Sequence, residues 1–157
     1  MASGGNVDFR ELQEFRRKME ASLNDDQIND FIESCAKELA ARLLAKVIKR
    51  TPTRKPENCP PGVKGGTLRR GWTGGKTQGG KAYADSLRVN HYGNTYVIEV
   101  VNPVEYASYV EFGHRTRNHE GWVEGKFMLT ISEQEVQGDA AKILENKLKR
   151  KLGEVFR

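Results

Sequence analysis

Between Asn24 and Arg50, Ile28, Phe31, Ile32, Cys35, Leu39, Leu43, Val47 and Ile48 recur at steps of three and four. This is the period of one helix face, and a helix of this length is the longest rigid object the chain can make. Asn24 or Asp25 stands where an N-cap is needed. Lys46, Lys49 and Arg50 favour the far end through the helix dipole, and the Thr51-Pro52 step stops propagation. Whatever else the chain forms has to cover this stripe. The 157 residues suffice for one core, and the apolar fraction of 37% against 30% charged residues makes that core modest.

Flanking segments differ in character. Residues 8–22 read as a short helix, with Asp8 as cap and Phe9, Leu12, Phe15 and Met19 as its stripe. From Thr51 to Lys81 the composition changes: eight of the sixteen glycines and four of the five prolines fall there. So long a connection is usually functional or disordered, and it reads as a flexible basic arm over 51–81. Within it Thr67–Thr73 has the look of a short strand anchored by Leu68 and Trp72. A β-hairpin is expected over 83–102, turning at Gly93-Asn94 in a II′ or I′ geometry, with its second strand buried on both faces. Pro103 can open a helix Val104–Phe112, with Tyr106, Tyr109 and Val110 on one face and Gly113 as C-cap. Residues 125–136 fit a strand or a helix. Gly138 breaks the pattern, and Asp139 can cap a last helix with Ile143, Leu144, Leu148, Leu152, Val155 and Phe156 as its stripe. The expectation is a single α+β domain, residues 104–157 mainly helical, with a small antiparallel sheet packed on the long helix and the C-terminal helices.

The net charge of +5 is unevenly placed. Residues 51–81 hold seven basic side chains and one acidic, whereas residues 82–136 hold four against eight. The surplus sits in the arm and the C-terminal tail and does not form the continuous basic face of a typical DNA-binding domain. The start of the chain lacks the basic and apolar regions of a secretory leader, and no apolar run is long enough to span a membrane, so synthesis in the cytoplasm is expected. Cys35 falls on the helix stripe as a small core residue, and Cys59 reads as an exposed thiol. Their spacing indicates neither disulfide nor metal.

Candidate chemistry is thin. A metal-dependent nuclease needs converging carboxylates and imidazoles. His114 and His119, beside Glu111 and Glu120, lie on a loop with no recognised ligand spacing, and His91 is at a strand end. No nucleophile elbow, Walker loop or paired-carboxylate pattern is present. No cofactor and no catalytic residue are expected. Arg69 and Arg70 beside Trp72 could meet nucleic acid by phosphate contact and stacking. The alternative is that Trp72 anchors the core while the arginines are solvated or face a neighbour. The Gly113 turn should carry Arg115 back toward the helix end, where a guanidinium can hold carbonyls or a carboxylate.

Several stretches, in order, resemble a family of tailed-bacteriophage neck proteins often described as tail components: the helix end Arg50-Thr51-Pro52, Gly66-Thr-Leu-Arg-Arg-Gly-Trp72, Val101-Asn102, Tyr106–Arg115 and Gly121-Trp-Val-Glu-Gly-Lys-Phe-Met-Leu129. The resemblance implies a non-enzymatic virion protein at the head–tail connection or the head-proximal end of the tail, assembled in the host cytoplasm. It implies a ring, sixfold, contacting other neck and tail proteins, with DNA only as cargo in the channel and no membrane. Arg69, Arg70, Trp72, Tyr106, Tyr109, Glu111, Arg115 and Trp122 are the candidates for subunit contact. A basic DNA-binding accessory protein and a metal-dependent nuclease are the competing readings.

Overall fold

The computed structural model describes residues 23–75 and 79–155, together with Arg10, Glu14, Arg17, Glu20 and Ala21. The helix expected over 8–22 therefore lies mostly outside the described residues; the five that are described are helical. The long helix, α1 (Asp25–Arg50), opens on a capping box: Asn24 Oδ1 accepts from the Gln27 N–H, and Gln27 Oε1 accepts from the Asn24 N–H. At its other end the Thr51 N–H and hydroxyl both donate to the Val47 carbonyl, satisfying an acceptor the helix leaves open.

A second long helix, α5 (Met128–Val155), lies antiparallel against α1. Near one end of the pair Lys46 Nζ and Arg50 Nη2 meet the Glu135 carboxylate at 2.9 and 2.7 Å, and Arg50 Nη1 donates to Ser132 Oγ. Near the other, Lys147 Nζ bridges to Glu38 at 3.0 Å and donates to the Ser34 carbonyl. The Lys147 hydrogen bond holds the Glu38 carboxyl below the usual glutamate range against the opposing effect of burial. Hydrogen bonds from Lys46 and Arg50 do the same for Glu135.

Between these helices the chain makes two short helices, α2 (Thr67–Gly71) and α3 (Gly80–Ser86), then two small antiparallel sheets. In the first, β1 (Val89–Tyr92) pairs with β2 (Thr95–Ile98), Tyr92 opposite Thr95, around a Gly93-Asn94 turn in which Gly93 takes φ +59°. Only Gly93 of the two is left-handed, as in a II′ turn. A third short helix, α4 (Ala107–Phe112), runs directly into β3 (Gly113–Arg115), which pairs with β4 (Trp122–Glu124). The class is α+β. The core is small: Ala40, Leu44 and Val47 of α1, Leu68 and Trp72 beside α2, Ala84 of α3 and Met128 of α5.

Several local expectations change. Thr67–Gly71 is helical, and Trp72 and Thr73 form a turn. Leu68 and Trp72, four residues apart, share one face in either a helix or a strand, and the buried bond from Trp72 Nε1 to Thr51 Oγ1 goes with the helical arrangement. Residues 80–86, expected in part as strand, form α3, packed closely enough on α1 that a Cβ on Gly80 would touch Leu44. Strand β2 ends at Ile98 and alternates, Tyr96 and Ile98 half-buried and Val97 open, because a two-stranded sheet resting on α1 has one free face. The helix expected from Val104 starts only at Ala107, after a turn at Glu105 and Tyr106. Gly138 does not interrupt α5: nothing stands within 4 Å of where its side chain would be, and one exposed glycine costs a long helix about 1 kcal/mol. On α1 Val47, on the expected stripe, and Leu44, outside it, are both fully buried, while Ile28 is exposed. On α5 the buried positions are Met128, Ser132 and Val136, near the start, whereas Leu148 is open and Ile143 and Leu144 are half-buried. Phe156, expected at the end of that stripe, lies outside the described residues.

Candidate assembly surface

The motif stretches that are far apart in sequence meet in one place. Thr51 is fully buried, and its Oγ1 accepts from Trp72 Nε1 at 2.8 Å. Its carbonyl accepts from Arg69 Nη2 and Nε at 2.8 and 3.3 Å. Asn102 donates through Nδ2 to the Leu68 carbonyl at 2.7 Å and accepts from the Val104 N–H. A Cβ on Gly71 would collide with that Asn102 amide, so glycine is required where α2 crosses it. Arg69 and Trp72 are therefore committed inside the subunit, and the stacking of a base on Trp72 is ruled out by its burial, with 3% of its surface exposed. Arg70, by contrast, is exposed and donates to the Gly65 carbonyl.

A second junction ties α4, the β3–β4 hairpin and α5 together. Glu111 is buried, and one carboxylate oxygen accepts from the Leu129 N–H at 2.9 Å. The other accepts from the Thr130 N–H and hydroxyl at 2.8 and 2.6 Å. These are the second and third residues of α5, whose orphan N–H groups need an acceptor. Phe127, which precedes the helix with φ +46°, has no side-chain acceptor to offer, and Glu111 supplies one from α4. Backbone bonds from Lys126 to Val110 and from Phe127 to Glu111 close the same seam. Gly113 and Gly125 sit so close that a Cβ on either would strike the other's backbone nitrogen.

This seam sends Arg115 along β3, exposed and opposite Trp122, instead of back toward the end of α4. It also decides which face of α4 is covered. Ala107, Val110 and Glu111 turn inward, while Tyr106, Tyr109 and Phe112, at steps of three, turn out. Tyr109 and Phe112 expose 59% and 62% of their surface, and Trp122 exposes 55%. Phe112 meets Phe127 edge-on at 6.5 Å, and Tyr109 meets His114 at 5.8 Å. Val123 is open beside them. Tyr106, Tyr109 and Trp122, expected as candidates for subunit contact, are all exposed in the single subunit. Phe112 and Phe127 were not singled out, although the three-residue spacing of Tyr106, Tyr109 and Phe112 was a signal for the first.

The histidines do not converge. His91 is within β1, its ring 3.8 Å from that of Tyr96; His114 is in β3; His119 occupies a left-handed turn position. Among the described residues no three of His, Cys, Asp and Glu stand close enough to hold a metal ion, and no helix is long and apolar enough to cross a membrane. Cys35 is half-buried, and burial raises its thiol pKa; Cys59 is half-buried too, with Sγ 3.4 Å from the Lys55 carbonyl.

A model of the family described as "Bacteriophage HK97-gp10, putative tail-component" matches residues 13–113. The chain belongs to this family. No curated protein and no solved structure matches it. The HK97-gp10-like match includes the Thr51, Trp72 and Asn102 hub and ends at Gly113, the first residue of β3, so the rest of the β3–β4 hairpin and the start of α5 lie beyond it. It begins at Gln13, ahead of the stretches on which the resemblance rested. The protein is a phage structural component of the tail type.

Proposed function

We propose that this HK97-gp10-like protein is a non-enzymatic subunit of a ring at the head–tail connection or head-proximal tail end of a tailed phage. The ring is sixfold, DNA crosses it, and its other contacts are the neighbouring neck and tail proteins. The exposed aromatic face of α4 and the β3–β4 hairpin carries this reading. Tyr106, Tyr109, Phe112, Trp122 and Phe127 each show about half of their surface. At 150–250 Å² per aromatic side chain they offer roughly 500 Å² of apolar area. That approaches the largest patch an ordinary monomer exposes and is over half of the ~800 Å² that one partner contributes to a stable interface. Arg115, opposite Trp122 in the hairpin, is an exposed cation, the residue type that joins aromatics as interface anchors.

Identical subunits meeting through two different patches close into a ring when the rotation allows, so a face left open in the single subunit is what such an assembly requires. The exposed part of the basic arm, 53–66, orders against a neighbour in the same assembly; Leu68 and Trp72 fix residues 67–73 to the core. Sedimentation and native mass spectrometry of wild type and Phe112→Ser/Tyr109→Ser test the interface. A higher oligomer of wild type that the double variant reduces to monomer is expected. A wild-type protein that stays monomeric both alone and in purified particles would remove the ring reading.

A further inference from the structure

We infer that the closed loop 53–66, with Arg70 of α2, is a contact surface for the phosphodiester backbone of nucleic acid. Of the aromatic face described above only Tyr106 reaches this region, where it lines the same cavity, and no ring is needed, because every cation belongs to one subunit. The loop folds back on itself: a Cβ on Gly65 would meet the Arg54 carbonyl, and one on Gly66 would lie 3.2 Å from Arg70 Nη1 and 3.9 Å from Thr53 Cγ2. Arg54, Lys64 and Arg70 are thereby gathered around one end of the loop, beside an open cavity of about 490 Å³ that Arg54 and Lys64 line. Lys55 follows Arg54 directly. All four side chains are exposed, and among the described residues none of them pairs with a carboxylate. The only acid in the loop is Glu57.

Arg42, Lys46, Arg50, Lys81, Lys147 and Lys149 have acidic partners, whereas Lys49, Arg88, Arg115, Arg117 and Lys126, like the loop's cations, are exposed without one among the described residues. The loop is set apart by how many of its cations one fold of the chain gathers. A protein partner would be expected to find an apolar centre ringed by polar groups. The loop offers Val63 and prolines, with no aromatic of its own. Unpaired guanidinium and ammonium groups on a glycine- and proline-rich loop suit phosphates, which need charge and donors but no apolar anchor. Such contacts position a duplex without reading its sequence.

The test is fluorescence anisotropy of two labelled 30-base-pair duplexes of unrelated sequence across 50–200 mM NaCl, with the full chain and with Arg54→Gln/Lys64→Gln. A length-matched polyglutamate serves as a carboxylate competitor, and sedimentation in the same buffers reports assembly. Four phosphate contacts predict a slope of about −3.6 in log K against log salt, or roughly 150-fold weaker binding at the upper salt. The double variant should shallow the slope by about 1.8, equally for both duplexes, with its sedimentation unchanged. An unchanged slope in the double variant overturns the inference, as does polyglutamate competing as well as unlabelled duplex, which would make the loop a site for an acidic protein. A wild-type protein that stays monomeric yet binds both duplexes with the expected slope would count against the ring and leave this inference standing.

Discussion

Replacing Glu111 by alanine should destabilise the subunit more than any other single change on α4. The carboxylate accepts from the Leu129 and Thr130 N–H groups and from the Thr130 hydroxyl. Alanine leaves all three donors without it in a place where Glu111 itself is 6% exposed. Losing an N-cap acceptor costs ~0.5–2 kcal/mol, and a hydrogen bond to a charged group is worth ~1.5–3 kcal/mol. Leu129 and Thr130 are half-buried, so water recovers part of that. About 1 kcal/mol for each backbone donor and a similar amount for the hydroxyl gives roughly 3 kcal/mol. At 2–4 °C per kcal/mol for a chain of this size, the melting temperature should fall by about 6–12 °C. Glu111→Gln keeps one acceptor oxygen and should lose about half as much. Calorimetry or urea titration of the two variants beside the exposed control Glu105→Ala gives the numbers. A Glu111→Ala protein melting within about 1 °C of wild type would show that α5 starts without this cap and that the seam is held by the backbone bonds alone.

Trp72→Phe should cost ~1–2 kcal/mol in urea titration, because Thr51 Oγ1 loses its indole donor in a buried site, and Trp72→Ala ~3–5 kcal/mol. Arg115→Ala should leave the melting temperature unchanged while weakening head–tail joining in a complementation assay, seen as filled heads and separate tails. Glu38 and Glu135 both have folded-state pKa values below the ordinary 4.5. Their contribution is therefore complete above that value and lost as pH falls through the lower folded values. Thermal melts at pH 7 and pH 3 should show a smaller acid loss in Glu38→Gln/Glu135→Gln than in wild type. Hydrogen exchange should show amides 53–66 weakly protected in free subunits and protected in assembled particles.

The parts legible in the sequence were those set by local pattern. The helix from Asp25 to Arg50, its stop at Thr51-Pro52 and the Gly93-Asn94 hairpin follow from periodicity, capping and turn chemistry, which act between residues a few positions apart. Leu44 was missed because depth on a helix face depends on what packs there. Here α3 approaches so closely that Gly80 lies against Leu44, while Ile28 at the other end remains open. Thr67–Thr73 was misread for a related reason: Leu68 and Trp72 fit two periods, and only the position of Thr51 beneath them selects the helical one.

The candidate surface divides along the same line. Arg69, Trp72 and Glu111 carry the same residue-type signals as Arg70, Trp122 and Tyr109, yet the first three are bound within the subunit and the second three are open. What separates them is long-range partnership. Thr51 takes up the donors of Arg69 and Trp72, and the bare start of α5 takes up the carboxylate of Glu111. Once Glu111 is turned inward, the geometry of a six-residue helix turns Tyr109 and Phe112 outward, and Tyr106, at its N-cap, is exposed beside them. The cap that starts α5 and the exposure of the aromatic face are thus two consequences of one rotation of α4. A substitution that frees Glu111 should disturb assembly through Tyr109 and Phe112 even though Glu111 itself is buried within the subunit.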